Sequence, residues 1–351
     1  MVAGKGVIFI MIQVSVMITT YNLEEYIEET LDSVLRQKTD FEYEILIGDD
    51  GSADATLDIV KKVRKRTHVP IAIYVMSREQ GKKYNPIYRA SRNRLNLLKH
   101  AKGEYITFLD GDDWYLSDLF LQKGFDILSH NRQYIMCGGD LVRYNQSSRS
   151  NPRINGGHLK EGKLSKKCYW GGGYWIPAEC FLYRNIYKYG NKIAMNHNVF
   201  DDNLIVFYFM KYGDIYYIDE AMVAYRQNMT PWKEKSELEQ YLYSAMDIYE
   251  EIRMNPRMRR QVFMRHSNQL KILFENISKL QMQKFDRERL LCKRNRYTIL
   301  EWILCYKEIR YYKRLLLQIF RCDIRIMRHL QKIERKIYER YRNICTKLSG
   351  F

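Results

Sequence analysis

Residues 103–114 read GEYITFLDGDDW, a β-branched and aromatic run that ends with three carboxylates in four positions. The apolar part, Tyr105–Leu109, is typical of a buried strand. Clustered carboxylates repel one another unless a cation neutralises them, and Asp residues separated by a Gly suit Mg²⁺ or Mn²⁺ that also holds phosphate oxygens. This stretch therefore predicts a metal-bridged phosphate site at the end of a strand. The alternative is that the acids cap a helix that begins near Ser117.

Strand and helix signals alternate along the chain before this strand. The predicted elements are the strands Gln13–Thr20, Tyr43–Gly48 and Ile71–Met76 and the helices Leu23–Lys38, Ser52–Arg66 and Ile87–His100. This order is typical of a mostly parallel sheet with helices on both faces. Ligands bind beyond the carboxyl ends of the strands in such sheets, so the loops after Thr20, Gly48, Met76 and Leu109 form the candidate site.

Composition and charge divide the chain into two parts. Of the 351 residues, 46% are hydrophobic, which is enough to bury a core and excludes a disordered chain. The six Pro and 19 Gly are too few for a collagen-like or low-complexity protein. Residues 233–351 contain 28 Lys and Arg and 14 Asp and Glu, so they carry +14 of the net charge of +17. We expect a nearly neutral first unit and a basic second unit.

Several classes of protein are disfavoured by what the sequence lacks. Its seven Cys residues are odd in number and form no C-x-x-C pair, which predicts free thiols in a reducing compartment. No run of 18 uncharged apolar residues indicates a membrane-spanning helix. Neither a G-x-x-x-x-G-K-[ST] motif nor a G-x-G-x-x-G motif follows the first strand, which argues against P-loop and dinucleotide-binding proteins. We expect a cytoplasmic protein without a signal peptide, in which residues 1–12 are an N-terminal extension.

Three motifs resemble those of family 2 glycosyltransferases with the GT-A fold. They are Val14–Asn22, Asp49–Ser52 and Gly103–Asp113, and they occur in the family's order and at similar intervals. The resemblance extends from about Gln13 to Gln227. It implies a Rossmann-like α/β catalytic domain over residues 13–232, with a nucleotide-binding half at 13–140 and an acceptor-binding half at 141–232.

The resemblance also implies roles for residues in the donor site. The positions that match the family's nucleotide-sugar site are Thr19, Tyr21, Asp50, Arg92, Asp110 and Gly111. Tyr21 would stack on the base, Asp50 would accept a hydrogen bond from a base N–H, and Asp110 would face the ribose. Asp112 would ligate a divalent metal, Mn²⁺ or Mg²⁺, that bridges the diphosphate. Plain alternatives are a turn role for Asp50 and a solvated helix face for Arg92.

The acceptor side of the site is predicted from the next motif. By the resemblance, Asp202 is the catalytic base of an inverting displacement, and Asp201 precedes it where Glu is common in the family. The two acids also stand at the start of a predicted helix, where capping alone would explain them. Trp114 and Trp175 suit contacts with a sugar ring, and their alternatives are core packing and a surface loop. Relatives often have His just beyond the matching Tyr-Arg, where this chain has Gln227 and Asn228, so a metal-ligating histidine is not expected there. Arg226 could still meet the diphosphate when residues 228–236 close over the donor.

The basic region 233–351 predicts an all-α extension, because it contains no Gly before position 350 and shows apolar residues at helical spacing. Three interpretations remain open. The helices could lie on the anionic inner face of the plasma membrane, where lipid-linked acceptors reside. They could pair between subunits of a homodimer. They could also form a solvated bundle against the catalytic domain.

The sequence therefore predicts a hexosyl- or N-acetylhexosaminyltransferase. Its donor would be a nucleotide-diphosphate sugar, UDP-linked by the resemblance, and its acceptor a hydroxyl of a glycan or lipid-linked glycan. The main alternative is a nucleic-acid- or anionic-surface-binding protein that acts through the basic region. Nucleic acid is not expected as a partner, because the sequence shows no aromatic platform or recognisable binding module. The absence of the Q-x-x-R-W motif of processive synthases favours single additions over polymerisation.

Overall fold

The computed structural model describes most of the first two thirds of the chain and a few residues beyond. The described residues are 11–79, 86–145, 152–170, 172–188, 200, 202–227, 251, 254–258, 261–262 and 265–266. The predictions for residues 1–10, for Asp201 and for most of 233–351 lie outside this set. The chain divides into two compact units, one of Met1–Tyr169 with Tyr174–Asn228 and one of Trp170–Gly173 with Met229–Phe351.

Strands and helices alternate through the first part of the chain, as predicted. The strands are β1 (Val14–Thr20), β2 (Tyr43–Asp49), β3 (Ile71–Val75), β4 (Tyr105–Asp110), β5 (Trp114–Tyr115), β6 (Tyr134–Tyr144), β7 (Gly162–Leu164), β8 (Phe181–Arg184) and β9 (Asp214–Arg226). The helices are α1 (Ile27–Leu35), α2 (Thr56–Lys65), α3 (Pro86–His100), α4 (Phe120–His130), α5 (Lys166–Trp170) and α6 (Asp202–Phe209), with a short 3-10 helix at Ala178–Cys180.

The nine described strands form one mixed sheet. Their order is β3-β2-β1-β4-β8-β6-β9-β5, and β7 pairs with β9. The first four strands are parallel, which confirms the predicted α/β alternation. Strand β8 runs antiparallel to both β4 and β6. The parallel arrangement is therefore confined to one half of the sheet, together with the β6–β9 pair.

The central strands are apolar on both faces because helices and loops cover them. On β1, Val16 and Ile18 are buried on one face and Met17 is buried on the other, and burial on both faces is typical of parallel sheets. Helix α1 buries Ile27, Leu31 and Val34, which recur at helical spacing. The hydrophobic effect on these residues fixes the core against which the loops are held.

Helix α3 packs closely on β2 at a glycine. A Cβ atom on Gly48 would lie 2.1 Å from Asn93 Oδ1. Asn93 Nδ2 donates a hydrogen bond of 2.6 Å to the Gly48 carbonyl oxygen. The hydrogen bond from this side-chain amide to a strand carbonyl fixes how closely α3 packs on β2 and which side of the helix faces the sheet.

The parallel register brings three loops together. Thr20 lies opposite Asp49 in the β1–β2 pair, and Thr19 lies opposite Asp110 in the β1–β4 pair. The carboxyl ends of β1, β2 and β4 therefore meet at one edge of the sheet, where the sequence predicts the site.

Helix α6 is apolar, and its residues from Leu204 onward are buried.

Among the described residues, no helix combines the length and the apolar character that crossing a bilayer requires. In the second unit, the described residues include a buried ion pair in which His266 Nε2 lies 3.1 Å from Glu251 Oε1.

The substitution Val16→Ala tests the core of the parallel sheet. It should lower the free energy of unfolding by about 2–3 kcal/mol, because two buried methyl groups are lost and a cavity remains. Val75→Ala is the matched control: Val75 lies on β3 and is 55% exposed. Its effect should stay within about 0.5 kcal/mol. Urea unfolding followed by tryptophan fluorescence measures both, and equal effects would contradict the assigned core.

Candidate active site

Asp110 ends β4 and is held by two donors from different elements. Thr19 Oγ1 donates a hydrogen bond of 2.6 Å to Asp110 Oδ1. Arg94 Nη2 lies 2.9 and 3.1 Å from the two carboxylate oxygens. The Arg94 side chain is 8% exposed, whereas that of Asp110 is 42% exposed. The carboxylate is therefore fixed and charge-paired on one side and open to a ligand on the other.

The arginine that contacts Asp110 is Arg94, whereas the residue matched to the nucleotide site by the sequence is Arg92, and its contact with a nucleotide stays a prediction. Arg92 is exposed on α3, and Arg94 is buried. Residues two positions apart on a helix do not share a face, so only one of the pair can point to the sheet. The intervening Asn93 is also buried and contacts β2. No motif in the sequence marks Arg94. Only its position on the buried side of the predicted helix could have indicated that it contacts the sheet.

The loop after β4 is packed against β1 and α1. The Gly111 N–H donates to the Thr19 carbonyl oxygen at 2.8 Å, and Thr30 Oγ1 donates to the Gly111 carbonyl oxygen at 2.9 Å. A Cβ atom on Gly111 would lie 3.0 Å from the Thr19 carbonyl oxygen. This close approach explains a glycine between the two acids. Asp112, the next residue, is partly buried.

Asp113 is buried and does not cap the following helix. Its N–H donates to the Asp110 carbonyl oxygen at 3.0 Å, and its Oδ1 accepts a hydrogen bond of 2.8 Å from the Arg226 N–H. Helix α4 begins at Phe120 without a side-chain cap, so the capping interpretation of this acid is wrong. Burial, together with the nearby charges of Asp112, Glu179 and Asp110, raises the pKa of Asp113 well above its ordinary value.

Asp50 follows β2 and is paired with two arginines. Its Oδ1 contacts Arg89 Nε and its Oδ2 contacts Arg78 Nη2. Arg78 Nε also donates to the Asp50 carbonyl oxygen at 2.6 Å, and Arg89 Nη2 donates to the Met76 carbonyl oxygen at 3.1 Å. Gly51 supplies the turn, with φ of 77°. The predicted acceptor for a base N–H thus lies in a cationic setting built from the third loop and α3.

Tyr21 is 39% exposed at the mouth of the first loop. The Arg78 guanidinium carbon lies 3.8 Å from the centroid of its ring, close enough for a cation–π interaction. One face of the ring is therefore covered by Arg78, and only the other face is left for a base to stack on.

Hydrogen bonds in both directions connect the first and second loops. The Asn22 N–H donates to Ser52 Oγ, and Asn22 Oδ1 accepts from the Ala53 N–H, each at 2.9 Å. The Glu24 N–H donates to Asp54 Oδ2 at 3.1 Å. Asn22 has φ of 52°, a left-handed conformation that Asn tolerates better than most residues. The two loops are held as one unit.

Asp202 is the first residue of α6, and Glu179 lies in the 3-10 helix that packs against α6. Burial raises the pKa of Glu179 to about 8, with further contributions from the charges of Asp202 and Asp110. The predicted base and the acid at the end of β4 therefore both lie near enough to Glu179 to raise its pKa. Sequence reasoning missed Glu179, because no motif surrounds it. Asp201 lies outside the described residues.

The two tryptophans predicted to contact the acceptor differ in their surroundings. The Trp114 ring on β5 lies 4.5 Å from the Arg226 guanidinium carbon. Trp175 is partly buried, and its carbonyl oxygen accepts a hydrogen bond of 2.8 Å from Asn155 Nδ2. The same amide donates to the fully buried Asp140 at 3.0 Å. Trp175 is thereby tied to the core of the acceptor-side half.

Cavities elsewhere in the fold do not include these side chains. A cavity of about 590 Å³ is lined by Arg64, His68 and Lys102 among others. Another, of about 380 Å³, is lined by residues such as Tyr105 and Arg184. Neither includes Asp110 or any other carboxylate described above, so neither belongs to the site at the carboxyl edge.

The donor set of the site is suited to a metal that is held mostly by its substrate. Within the described ranges, no three His, Cys, Asp or Glu side chains converge to hold a metal ion by themselves. Mg²⁺ bound to a nucleotide commonly takes only one or two protein carboxylates, and phosphate oxygens and water complete its shell. Asp112, partly buried in a cluster of acids, fits that role.

Comparison with known proteins supports the assignment of the fold. A sequence model of the family described as "Glycosyl transferase family 2" matches residues 15–190. Poly(ribitol-phosphate) beta-N-acetylglucosaminyltransferase TarS of Staphylococcus aureus is 37% identical over 130 residues, which are 36% of this chain and 21% of TarS. In other curated relatives the match spans 19% to 35% of their length.

Solved structures resemble the chain over a larger part of its length. The structure of S. aureus TarS residues 1–349 in complex with UDP-GlcNAc has a TM-score of 0.54 and 20% identity, and the likeness covers 95% of this chain and 92% of that one. A mannosyltransferase from Pyrobaculum calidifontis in complex with GDP-Man and Mn²⁺ has a TM-score of 0.51 and 15% identity, with coverage of 74% and 72%. The predicted GT-A fold is confirmed by these likenesses.

The raised pKa of Glu179 predicts a pH dependence of stability. In the unfolded chain this Glu has its ordinary pKa of 4.5, and in the folded protein a pKa of about 8. Between these values the folded protein binds more protons, so stability should fall as pH rises from about 5 to 8. Glu179→Gln should remove that fall, so the variant gains stability relative to the original protein as pH rises. Urea unfolding at several pH values measures this difference.

Glu220→Gln is the matched control. Although burial raises the pKa of Glu220, hydrogen bonds from Lys123 and Ser117 lower it below the ordinary value. Its effect on stability should therefore be constant between pH 5 and 8. A constant effect of Glu179→Gln over the same range would contradict the assigned environment of Glu179.

Proposed function

The chain belongs to glycosyl transferase family 2, and on that premise we propose that it transfers a hexosyl or N-acetylhexosaminyl group from a UDP-linked donor to a hydroxyl of a glycan or lipid-linked glycan. The observation that carries the proposal is the anchored Asp110 beside Asp112, at the edge where the other two loops converge. The fold shared with a protein in complex with UDP-GlcNAc supports a UDP-linked donor.

The donor would lie across the three loops. Tyr21 and Asp50 would take the base, with Arg78 and Arg89 holding the Asp50 carboxylate in place. Thr19 and Gly111 would shape the floor of the site, since their backbones are joined by a hydrogen bond. Asp110 would accept from the ribose on its exposed side. Exposed Arg92 is proposed at the periphery of the nucleotide.

Asp112 is proposed as the protein ligand of Mn²⁺ or Mg²⁺. The cation would supply charge stabilisation to the departing diphosphate. Two observations support this proposal: the partly buried position of Asp112 among other acids and the Mn²⁺ in the complex of a structural neighbour. The packing of Gly111 on β1 holds the Asp112 backbone close to the sheet, which orients the side chain before the donor arrives.

Asp202 is proposed as the general base of a single inverting displacement. The acceptor oxygen forms a bond to the anomeric carbon, the bond from that carbon to the diphosphate oxygen breaks, and the acceptor proton passes to Asp202. The position at the first turn of α6 supports this role, because it places the carboxylate at the fixed end of a buried helix. Trp114, Trp175 and Asp201 are proposed on the acceptor side.

The basic region 233–351 is proposed to bring the enzyme to its acceptor. Its charge of +14 suits an anionic surface such as the inner face of the plasma membrane. Binding there would place the protein on the cytoplasmic side of the membrane, close to lipid-linked acceptors. Pairing of two copies through this region is the second candidate. Two relatives are named as poly(ribitol-phosphate) glycosyltransferases, so poly(ribitol phosphate) is an acceptor to test in addition to glycans and lipid-linked glycans.

The substitution Asp112→Asn tests the donor site. Calorimetric titration should show that Mn²⁺ strengthens UDP binding to the original protein and that the variant loses most of this gain, because the remaining amide oxygen is a weaker ligand. Asp118→Asn is the matched control, since this exposed acid in the next loop pairs with Arg36 and Lys38 and should not affect the titration. If UDP, GDP and dTDP all fail to bind with or without metal, the transferase proposal is overturned.

The substitution Asp202→Asn separates the base from the donor site. It should lower the rate of transfer by about 10²–10⁴-fold and leave the affinity for UDP with Mn²⁺ unchanged. Release of UDP from UDP-sugars in the presence of glycan, lipid-linked and poly(ribitol phosphate) acceptors measures the rate. A variant that transfers as fast as the original protein would exclude Asp202 as the base.

A further inference from the structure

Arg226 joins the end of β9 to the loop that carries Asp112. Its N–H donates to Asp113 Oδ1 at 2.8 Å, and its Nε donates to the Asp112 carbonyl oxygen at 3.0 Å. Its Nη2 donates to Glu29 Oε2 on α1 at 2.5 Å. The Arg226 side chain is 7% exposed. One buried arginine therefore bridges elements that lie more than 100 positions apart in the sequence.

Aromatic rings hold this guanidinium in place. Its central carbon lies 4.5 Å from the ring centroid of Trp114, 4.8 Å from that of Tyr26 and 5.6 Å from that of Tyr144. Trp114 and Tyr144 also pack edge to face at 5.0 Å. Arg226 thus sits among three rings, with Glu29 as its carboxylate partner, which restricts the guanidinium plane to a narrow range of orientations.

A contact of Arg226 with the diphosphate depends on residues 228–236, which lie outside the described residues, and stays a prediction. In the structure the Arg226 Nε donates to the Asp112 carbonyl oxygen and its Nη2 donates to Glu29. The bond to Asp112 goes to the backbone carbonyl, so the Asp112 carboxylate is not neutralised by it. The arginine therefore holds the backbone of the loop at Asp112.

We propose that Arg226 is a positioning residue that sets the direction of Asp112 toward the metal. The inference rests on the proposed function, and it assigns to Arg226 no contact with the substrate. Asp110, Asp112 and the buried Asp113 are crowded in one short loop, and a relaxation that separated Asp110 from Asp112 would relieve the repulsion between those two carboxylates. The Arg226 guanidinium opposes that relaxation because it binds the Asp112 carbonyl oxygen, while the backbone N–H of the same residue binds the Asp113 side chain and is kept in any substitution except proline.

Arg226→Lys tests the proposal. Lys keeps the charge but cannot reproduce the two directed N–H groups of the guanidinium. Loss of a group that orients a metal ligand lowers metal affinity by about 10–100-fold, and we expect this fall for Mn²⁺ in the presence of UDP. The affinity for UDP without metal should stay unchanged, since the base and ribose contacts lie on other loops. Calorimetry measures both quantities.

Arg184→Lys is the matched control. Arg184 also donates to several backbone carbonyls, among them Tyr134 at 2.8 Å, and lies over the Tyr105 ring at 5.6 Å. It pairs with the first residue of β4, at the opposite edge of the sheet. Its replacement should lower stability and leave Mn²⁺ affinity as it is.

Glu29→Gln gives a second and milder test, because this side chain is 53% exposed and its amide keeps a hydrogen-bond acceptor. A smaller fall in Mn²⁺ affinity is expected there.

Hydrogen exchange without ligand separates this proposal from the proposed function. Arg226→Lys should speed exchange of the Asp113 N–H, which donates to the Asp110 carbonyl oxygen, and Arg184→Lys should not. Faster exchange in a protein that binds no nucleotide would support the positioning role and overturn the transferase proposal. Unchanged exchange of the Asp113 N–H would overturn the positioning role. If Mn²⁺ affinity fell while exchange was unchanged, Arg226 would act directly on UDP or Mn²⁺.

Discussion

Strand β1 pairs in parallel with β2 on one side and β4 on the other, and the register of these two pairs determines where the three loops meet. Thr19 is opposite Asp110, and its hydroxyl reaches the carboxylate across the strand boundary. A shift of one residue would turn every side chain of a strand to the other face of the sheet. The side chains on both faces of β1 are closely packed and would not fit their neighbours after such a shift, so core packing holds the carboxylates of the site in place.

Buried or partly buried arginines organise the acids at this edge. Arg94 reaches Asp110 from α3, Arg226 reaches the Asp112–Asp113 segment from β9, and Arg89 reaches Asp50 from α3. Each is fixed by an element other than the loop it contacts. Removing one partner of such a pair leaves an uncompensated charge, which is destabilising. Because the arginines lie on α3 and β9, the arrangement of the loops depends on how these elements pack in the rest of the fold. The acids that these arginines do not neutralise are the ones that the proposed cation would contact.

The sequence predicts the local features of this site better than its long-range contacts. Strand and helix periodicity and the Asp-Gly-Asp pattern correctly place the loops, because each depends on residues near in sequence. The choice of Arg94 over Arg92 depends on the rotation of α3 against the sheet, and the interaction of Arg226 with Asp113 spans more than 100 positions. The capping interpretation of Asp113 failed for the same reason. The metal, the base Asp202 and the acceptor contacts stay predictions, and most of region 233–351 lies outside the described residues.

The hydrogen bonds between the first and second loops have a thermodynamic consequence. Ordering the backbone of one loop residue on binding costs about 1–2 kcal/mol of entropy, and loops that are already tied together avoid much of that loss. Asn22 and Ser52 make this connection without any ligand. Binding of a nucleotide base should therefore show a smaller unfavourable entropy change than binding to a pair of independent loops, because less of the free energy of its contacts is offset by ordering the loops.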